Sequence, residues 1–157
     1  MEEYAGEAMS MGTALVRTAF LVDAVYAEVA REFDLTSSQA PLLCLLLARP
    51  YGMYELAKTL GLAKSSISGL VDRCEKRDLV TRESDPADGR ASRVSLTAKG
   101  AQLADELHEV IDRRVAELPL GLSARERETL LALLTRVVVD NRVPAVFTDG
   151  ECPSSQD

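Results

Sequence analysis

The sequence predicts a mainly α chain carrying one small β-hairpin. Apolar residues recur at helical spacing over most of its length. The period switches to alternation in only two short stretches, 79–83 and 93–96. Ser or Thr stands where a helix N-cap is wanted before several periodic segments, at Thr36, Thr97 and Ser123.

Met9 to Phe33 reads as a long first helix, with Leu15, Thr18, Val22, Val25, Val29 and Phe33 on one face. Asp34-Leu35 breaks it. Thr36 with Gln39 is a capping-box pair and starts a second helix, running through Leu42, Leu43, Leu45, Leu46 and Leu47. Pro41 falls near its first turn, where a missing N–H costs least. A helix apolar all round is expected to be central and buried. Arg49-Pro50-Tyr51-Gly52 reads as a loop. A short helix follows from Tyr54 to Leu60, then a tight turn at Gly61-Leu62-Ala63, then a helix from Lys64 to Arg77. The inner face of this last helix is Ile67, Leu70, Val71 and Cys74. Its outer face is Lys64, Ser65, Ser66, Ser68, Gly69, Arg73 and Lys76.

Leu79–Glu83 and Arg93–Leu96 read as two strands around a loop, Ser84–Arg90, rich in turn residues. Thr97 caps a helix from Ala98 to Glu117, striped by Leu103, Leu107, Val110, Ile111, Val115 and Leu118. Pro119 and Gly121 end it. Ser123 with Glu126 is a second capping box and opens a last helix to Asn141. Residues 1–8 read as a frayed start and 142–157 as a mobile tail.

Composition narrows the class. The chain has 157 residues, which is one subunit, and 46% of them are hydrophobic, enough for a core without staples. Aromatics are 4% and Trp is absent, so the core must be aliphatic. Three Cys do not make a disulfide framework, no secretory signal opens the chain, and no apolar run approaches the roughly 18 residues of a membrane span. A membrane protein, a disulfide-rich secreted domain and a fibrous chain are thereby excluded, and a cytoplasmic protein is the expectation.

The net charge of −7 argues against a nucleic-acid partner, but its distribution does not. Residues 55–99 hold nine Lys/Arg and seven Asp/Glu, so this segment is +2 and the rest of the chain −9. Two short helices joined by a Gly-containing turn and followed at once by a hairpin form a winged helix-turn-helix. Its parts suit a duplex. The outer face of 64–77 can lie in a major groove, and an Arg on the hairpin can reach an adjacent minor groove. The flanking helical regions, 9–48 and 98–141, expose more apolar surface than one subunit covers. They are expected to pair with a second copy, leaving 53–97 as the reading lobe.

Several ordered pieces carry a family resemblance. They are Leu35-Thr36 with Gln39, Glu55-Leu56-Ala57, Lys64-Ser65-Ser66-Ile67-Ser68 and Leu70-Val71-Asp72-Arg73. The set continues with Lys76 to Arg82, Asp85, Asp88-Gly89-Arg90, and Leu96-Thr97-Ala98-Lys99-Gly100. In this order and spacing the chain resembles the MarR family of bacterial transcriptional regulators over roughly residues 10–141. The resemblance implies a homodimer joined by its terminal helices. It further implies a palindromic double-stranded DNA operator, repression as the usual outcome, and release by a small phenolic or other anionic effector or by an oxidised Cys. It places Lys64, Ser65, Ser66, Ser68 and Arg73 on the groove face and Arg90 at the wing tip, with Asp88 positioned to orient it. Asp72 and Arg82 match a pair that ties the recognition helix to the first wing strand. An effector pocket is expected between the first, second and fifth helices, with Arg17 as its candidate anion-binding group.

The chain departs from the family pattern at three positions. Gly69 stands where a long polar side chain is frequent, so a base reader is missing and readout leans on the serines and Arg73. Ala63 replaces the usual cap, and a phosphate at that helix start could supply the acceptor. Asp78 replaces the usual Gly.

Other chemistries find little support. Cys74 and Cys44 read as small core hydrophobes and Cys152 falls in the tail, so redox sensing is not expected. One His, His108, and scattered Cys give no metal-ligand spacing, and no cofactor is expected. No nucleophile has a His partner and no Gly-rich loop cradles phosphate, so an enzyme is not expected. A constitutive architectural DNA binder and a winged-helix protein-interaction module stand as alternatives.

Overall fold

A computed structural model describes residues 8–144; Cys152 and most of the expected tail lie outside the described residues. Its elements, in chain order, are α1 (Met11–Glu32), α2 (Gln39–Leu46), β1 (Tyr51–Gly52), α3 (Met53–Leu60), α4 (Lys64–Lys76), β2 (Val80–Ser84), β3 (Ser92–Leu96), α5 (Ala98–Glu117) and α6 (Ala124–Asp140). This is the mainly α winged helix-turn-helix with flanking helices that the sequence predicts.

The helix ends follow from local chemistry. Ser10 caps α1, Thr97 caps α5 through the Gly100 N–H, and Ser123 with Glu126 forms a full capping box on α6. Thr36 and Gln39 exchange the two capping-box bonds at 2.9 and 3.2 Å, although regular helix begins only at Gln39. Both α1 and α4 end in a Schellman turn whose left-handed residue is an Asp, Asp34 at φ 54° and Asp78 at φ 58°. Asp tolerates this conformation better than most side chains. For α4 the bonds run from Leu79 N–H to Cys74 O and from Asp78 N–H to Glu75 O.

The core is centred on α2. All its residues except Pro41 are buried, as its all-round apolar sequence predicts. Ala104, Leu107 and Ile111 of α5, Val29 and Ala30 of α1, Leu56, Ile67, Leu70, Val71 and Cys74 of the helix-turn-helix, and Val80 and Val94 of the hairpin complete one cluster. The sheet has three antiparallel strands in the order β1-β3-β2. The third strand corrects the loop reading of Arg49–Gly52: Tyr51 pairs with Val94 and Gly52 with Arg93. Two residues are too few to show a strand period, and a buried Tyr51 roofed by the Arg49 guanidinium at 3.8 Å holds them in place.

One junction is built backbone on backbone. The first turn of α5 sits so close to the end of α4 that a Cβ on Gly100 would fall 1.8 Å from the Leu79 carbonyl oxygen. Thr97 Oγ1 donates to Asp78 O at 2.6 Å, and Lys99 Nζ donates to Arg77 O at 3.0 Å. Arg77 in turn donates to Asp34 O at 2.7 Å, tying both Asp-ended turns together.

The terminal helices differ from the rest. The first half of α1 leaves Leu15, Val16, Phe20 and Leu21 exposed, so of the apolar stripe read from the sequence only its C-terminal part packs here. α6 buries no residue at all. Among the described residues no helix is long and apolar enough to cross a membrane.

Candidate nucleic-acid interface

The turn between α3 and α4 depends on Gly61, at φ 64°, where a left-handed backbone costs glycine nothing. It delivers α4 with Ile67, Leu70, Val71 and Cys74 in the core. The opposite face is thereby set. Lys64, Ser65, Ser66, Arg73 and Lys76 are exposed, and Ser68 and Gly69 are half-buried. Ala63 holds the N-cap position and offers no side-chain acceptor, so the first amides of α4 remain open to an outside anion.

The charge balance of that face is set from the hairpin. Arg82 on β2 places Nη2 2.6 Å from Asp72 Oδ1 and bonds Glu75 through Nη1. The hydrogen bond it donates to Asp72, then the two nearby carboxylate charges, hold the Arg82 guanidinium above its ordinary pKa. One guanidinium therefore engages both carboxylates of α4, leaving the trio at −1 against the three cations Lys64, Arg73 and Lys76. Glu75 was not legible as a partner, because one turn along an exposed helix face looks the same whether or not a strand passes beside it. Among the described residues no ion pair engages Lys64, Arg73 or Lys76, so the face carries a local positive excess on a chain of net charge −7.

The hairpin loop is two linked turns, each built on an Asp. The Asp85 carboxylate accepts from the Ala87 N–H at 2.9 Å, and the Asp88 carboxylate accepts from the Arg90 N–H at 3.0 Å. The Asp85 N–H closes the loop on Ala91 O at 2.9 Å. Asp88 thus orients Arg90 through its backbone rather than by pairing with its guanidinium, and Arg90 is exposed. In the sequence Asp85 stands out only as part of a motif; the Asx geometry gives it the same scaffolding role. Further down the wing Glu83 accepts from Ser95 at 2.8 Å and from Arg93 at 3.4 Å.

A cavity of about 710 Å³ lies between α1, the start of α2 and the end of α3, lined by Val22, Asp23, Tyr26, Ala27, Ser37, Pro41, Thr59 and Leu60. This differs from the expected position. α5, whose Ala104, Leu107 and Ile111 are buried in the core, contributes none of these lining residues, and Arg17 lies further up α1, outside the lining. Burial, with lesser effects from Cys44 and Asp112, pushes the Tyr26 hydroxyl up to about 12, so it is a neutral phenol at working pH.

Burial likewise pushes the Cys44 thiol up to about 12 and raises that of Cys74. A thiol held protonated is a poor nucleophile. His108 is half-buried, with Nδ1 shielded and unpaired. No group of three His, Cys, Asp or Glu among the described residues could hold a metal ion.

A model of the MarR family matches residues 33–91, from the end of α1 to the wing loop. Apo MarR from E. coli superposes with a TM-score of 0.75 at 27% identity, covering 84% of this chain and 99% of that one. Over its reading lobe the chain matches the MarR family, and its fold is that of E. coli MarR. Two further structures of the family are held on DNA. CouR, a transcriptional repressor bound to a 23-mer duplex, matches at 28% identity with a TM-score of 0.68, over 82% of this chain and 92% of that one. A Cys-to-Ser mutant of E. coli MarR with operator DNA matches at 27% identity with a TM-score of 0.66, over 81% and 92%. The likeness thus extends from the reading lobe into both helical arms. These relatives are transcription regulators, and none is an enzyme.

Proposed function

We propose that the chain is a cytoplasmic, sequence-specific transcriptional repressor that binds a palindromic operator as a homodimer and is released by a small molecule. One observation carries the reading: α4 turns outward a face whose two carboxylates are both engaged by Arg82, leaving Lys64, Arg73 and Lys76 beside the three serines. Such a face suits phosphates at its edges and base edges at its centre.

In this reading Lys64 and the open amides at Ala63 hold a phosphate, while Ser65, Ser66, Ser68 and Arg73 face the major groove. Arg90, on a loop fixed by Asp88, enters the minor groove. The Asp72–Arg82 pair keeps the recognition helix in register with the wing. The regions 9–48 and 98–141 form the dimer, setting the two α4 helices about one DNA turn apart, roughly 34–36 Å. CouR and MarR, both bound to DNA, support the same docking for this chain.

The cavity beside Tyr26 supports an effector. Its hydroxyls, Tyr26, Ser37 and Thr59, and, among the described residues, the carboxylate of Asp23 suit a phenolic, hydroxyl-bearing molecule better than an anion. An effector shifts the dimer only as far as its affinity differs between the DNA-bound and released states.

The experiment is capture of sheared genomic DNA on the purified protein, sequenced, with Arg90→Ala alongside. A few sharp palindromic peaks, weakened in the variant, support the reading. Arg90→Ala is also expected to flatten the salt dependence of operator affinity, by about one unit in the log–log slope for each phosphate the arginine neutralises. Flat recovery with both proteins would favour a protein-interaction module instead. Operator binding that no small molecule disturbs would favour a constitutive binder.

A further inference from the structure

Gly69 is the weakest position of α4 by helix propensity, and it lies at the middle of the outward face. At 3.6 residues per turn it points about 200° away from the buried Ile67. A side chain there would reach furthest into a groove. The space is not empty. Beyond its chain neighbours and the helix's own backbone, the atom nearest a Cβ built on Gly69 is Arg73 Nη1, at 3.4 Å, and no other such atom comes within 4 Å. Gly69 is half-buried although Ser65, Ser66 and Arg73 around it are exposed. The cover over Gly69 is the guanidinium of Arg73.

Helix geometry explains the placement. Side chains on an α-helix lean toward its N-terminus, so a long residue at i+4 lies over position i. Arg73 is one turn after Gly69, and among the described residues no carboxylate draws it aside: Asp72 and Glu75 are both held by Arg82. Bare backbone at residue 69 gives the guanidinium a seat at the centre of the face rather than on its flank.

We propose that Arg73, laid back over Gly69, is the base-reading group of this helix and selects a guanine in each half-site. The proposal rests on the DNA-binding reading above and deepens it. A guanidinium presents the donor fork that matches O6 and N7 of guanine. Loss of a long side chain at 69 thus relocates the reader instead of deleting it. Residue 69 still governs the outcome, because any side chain longer than a methyl group must displace the guanidinium.

The test is selection from a random duplex pool by the full-length protein, followed by affinity for the selected site and its single-base variants. Circular dichroism and a melting curve accompany each variant. The wild type is expected to enrich a G·C pair at one symmetric position. Arg73→Ala is expected to lose the preference there by roughly 5- to 150-fold per half-site while keeping the preferences at other positions. Gly69→Gln is expected to move that same position toward A·T, because a glutamine then occupies the centre and its amide matches adenine. Equal weakening on every sequence by Arg73→Ala would make it a phosphate-binding group and overturn the proposal. An unchanged preference in a folded Gly69→Gln variant would overturn it as well. Failure of the wild type to enrich any sequence would overturn the DNA-binding reading itself, a distinguishable outcome.

Discussion

α4 and α6 are both amphipathic helices, of 13 and 17 residues, yet the chain treats them oppositely. α4 buries Ile67, Leu70, Val71 and Cys74 against its own subunit and keeps its polar face outward. α6 buries nothing, and Leu131, Leu133, Leu134, Val137, Val138 and Val139 all stand in solvent. One helix is complete within its protomer. The other has an apolar face that the protomer does not cover, far more than scattered surface apolar residues explain. The stability of the reading lobe should therefore belong to the single chain, and that of the outer arm to an assembly.

The sharpest way to break this contrast is a charge on α6. Leu131 is 68% exposed, so Leu131→Asp should leave the protomer folded. In a two-fold dimer the buried charge appears twice, and dimerisation should weaken by about 4 kcal/mol or more. Sedimentation analysis should then show monomers with unchanged helical content. A dimer that persists would remove α6 from the interface.

A cut inside the closed half should behave differently. Leu70→Ala is expected to cost about 2–5 kcal/mol in denaturant unfolding. The loss should be the same in the Leu131→Asp background. A dependence on dimerisation would mean that the reading lobe is not self-sufficient.

Gly100 tests the joint between the two regions. With a carbonyl oxygen 1.8 Å from where its Cβ would sit, Gly100→Ala must push α5 off the end of α4. A cost of roughly 3 kcal/mol is expected by thermal unfolding. Full stability would show that the close approach is not required.

Arg82→Ala should be milder, about 1 kcal/mol, because both its carboxylate partners are partly solvated. Its signature is that added salt restores part of the loss by screening Asp72 against Glu75.

The smallest effect concerns acid. The Arg49 guanidinium, donating to Glu55, holds that carboxylate below its ordinary 4.5. A depressed folded pKa means stability that is present above 4.5 and lost as pH falls through the lower folded value. Glu55→Gln should therefore flatten the acid limb of the stability curve slightly, by a few tenths of a kcal/mol. Identical acid limbs would show that the pair contributes nothing.

What the sequence disclosed follows the same division. Ile67, Leu70, Val71 and Cys74, the Ser123–Glu126 box and both ends of α5 were legible because periodicity and capping act within a few residues. The excess apolar surface of the terminal helices was legible as composition. Features made by distant segments were not. The strand at Tyr51–Gly52 exists only because β3 passes beside it. Glu75 joins Arg82 only because α4 crosses β2. The cavity is lined from α3 rather than α5, which depends on how segments far apart in the chain come together. Gly69 read as a missing group, since nothing local announces that Arg73 lies over it.

The close approach of Gly100 to Leu79 has a mechanical consequence. Packed side chains yield by changing rotamer, but two touching backbones have nothing to yield with. With Thr97 and Lys99 bonded to the Asp78 and Arg77 carbonyls just past α4, the start of α5 and the turn that ends α4 form one stiff bracket. At 1.5 Å per residue the arm of that bracket, α5, is about 30 Å long. A tilt of about 10° along it would carry the bracketed end through roughly 5 Å, more than the 3.4 Å between successive base pairs. The lever needs no flexible transmission: a displacement at one end of α5 is a change of register at the other.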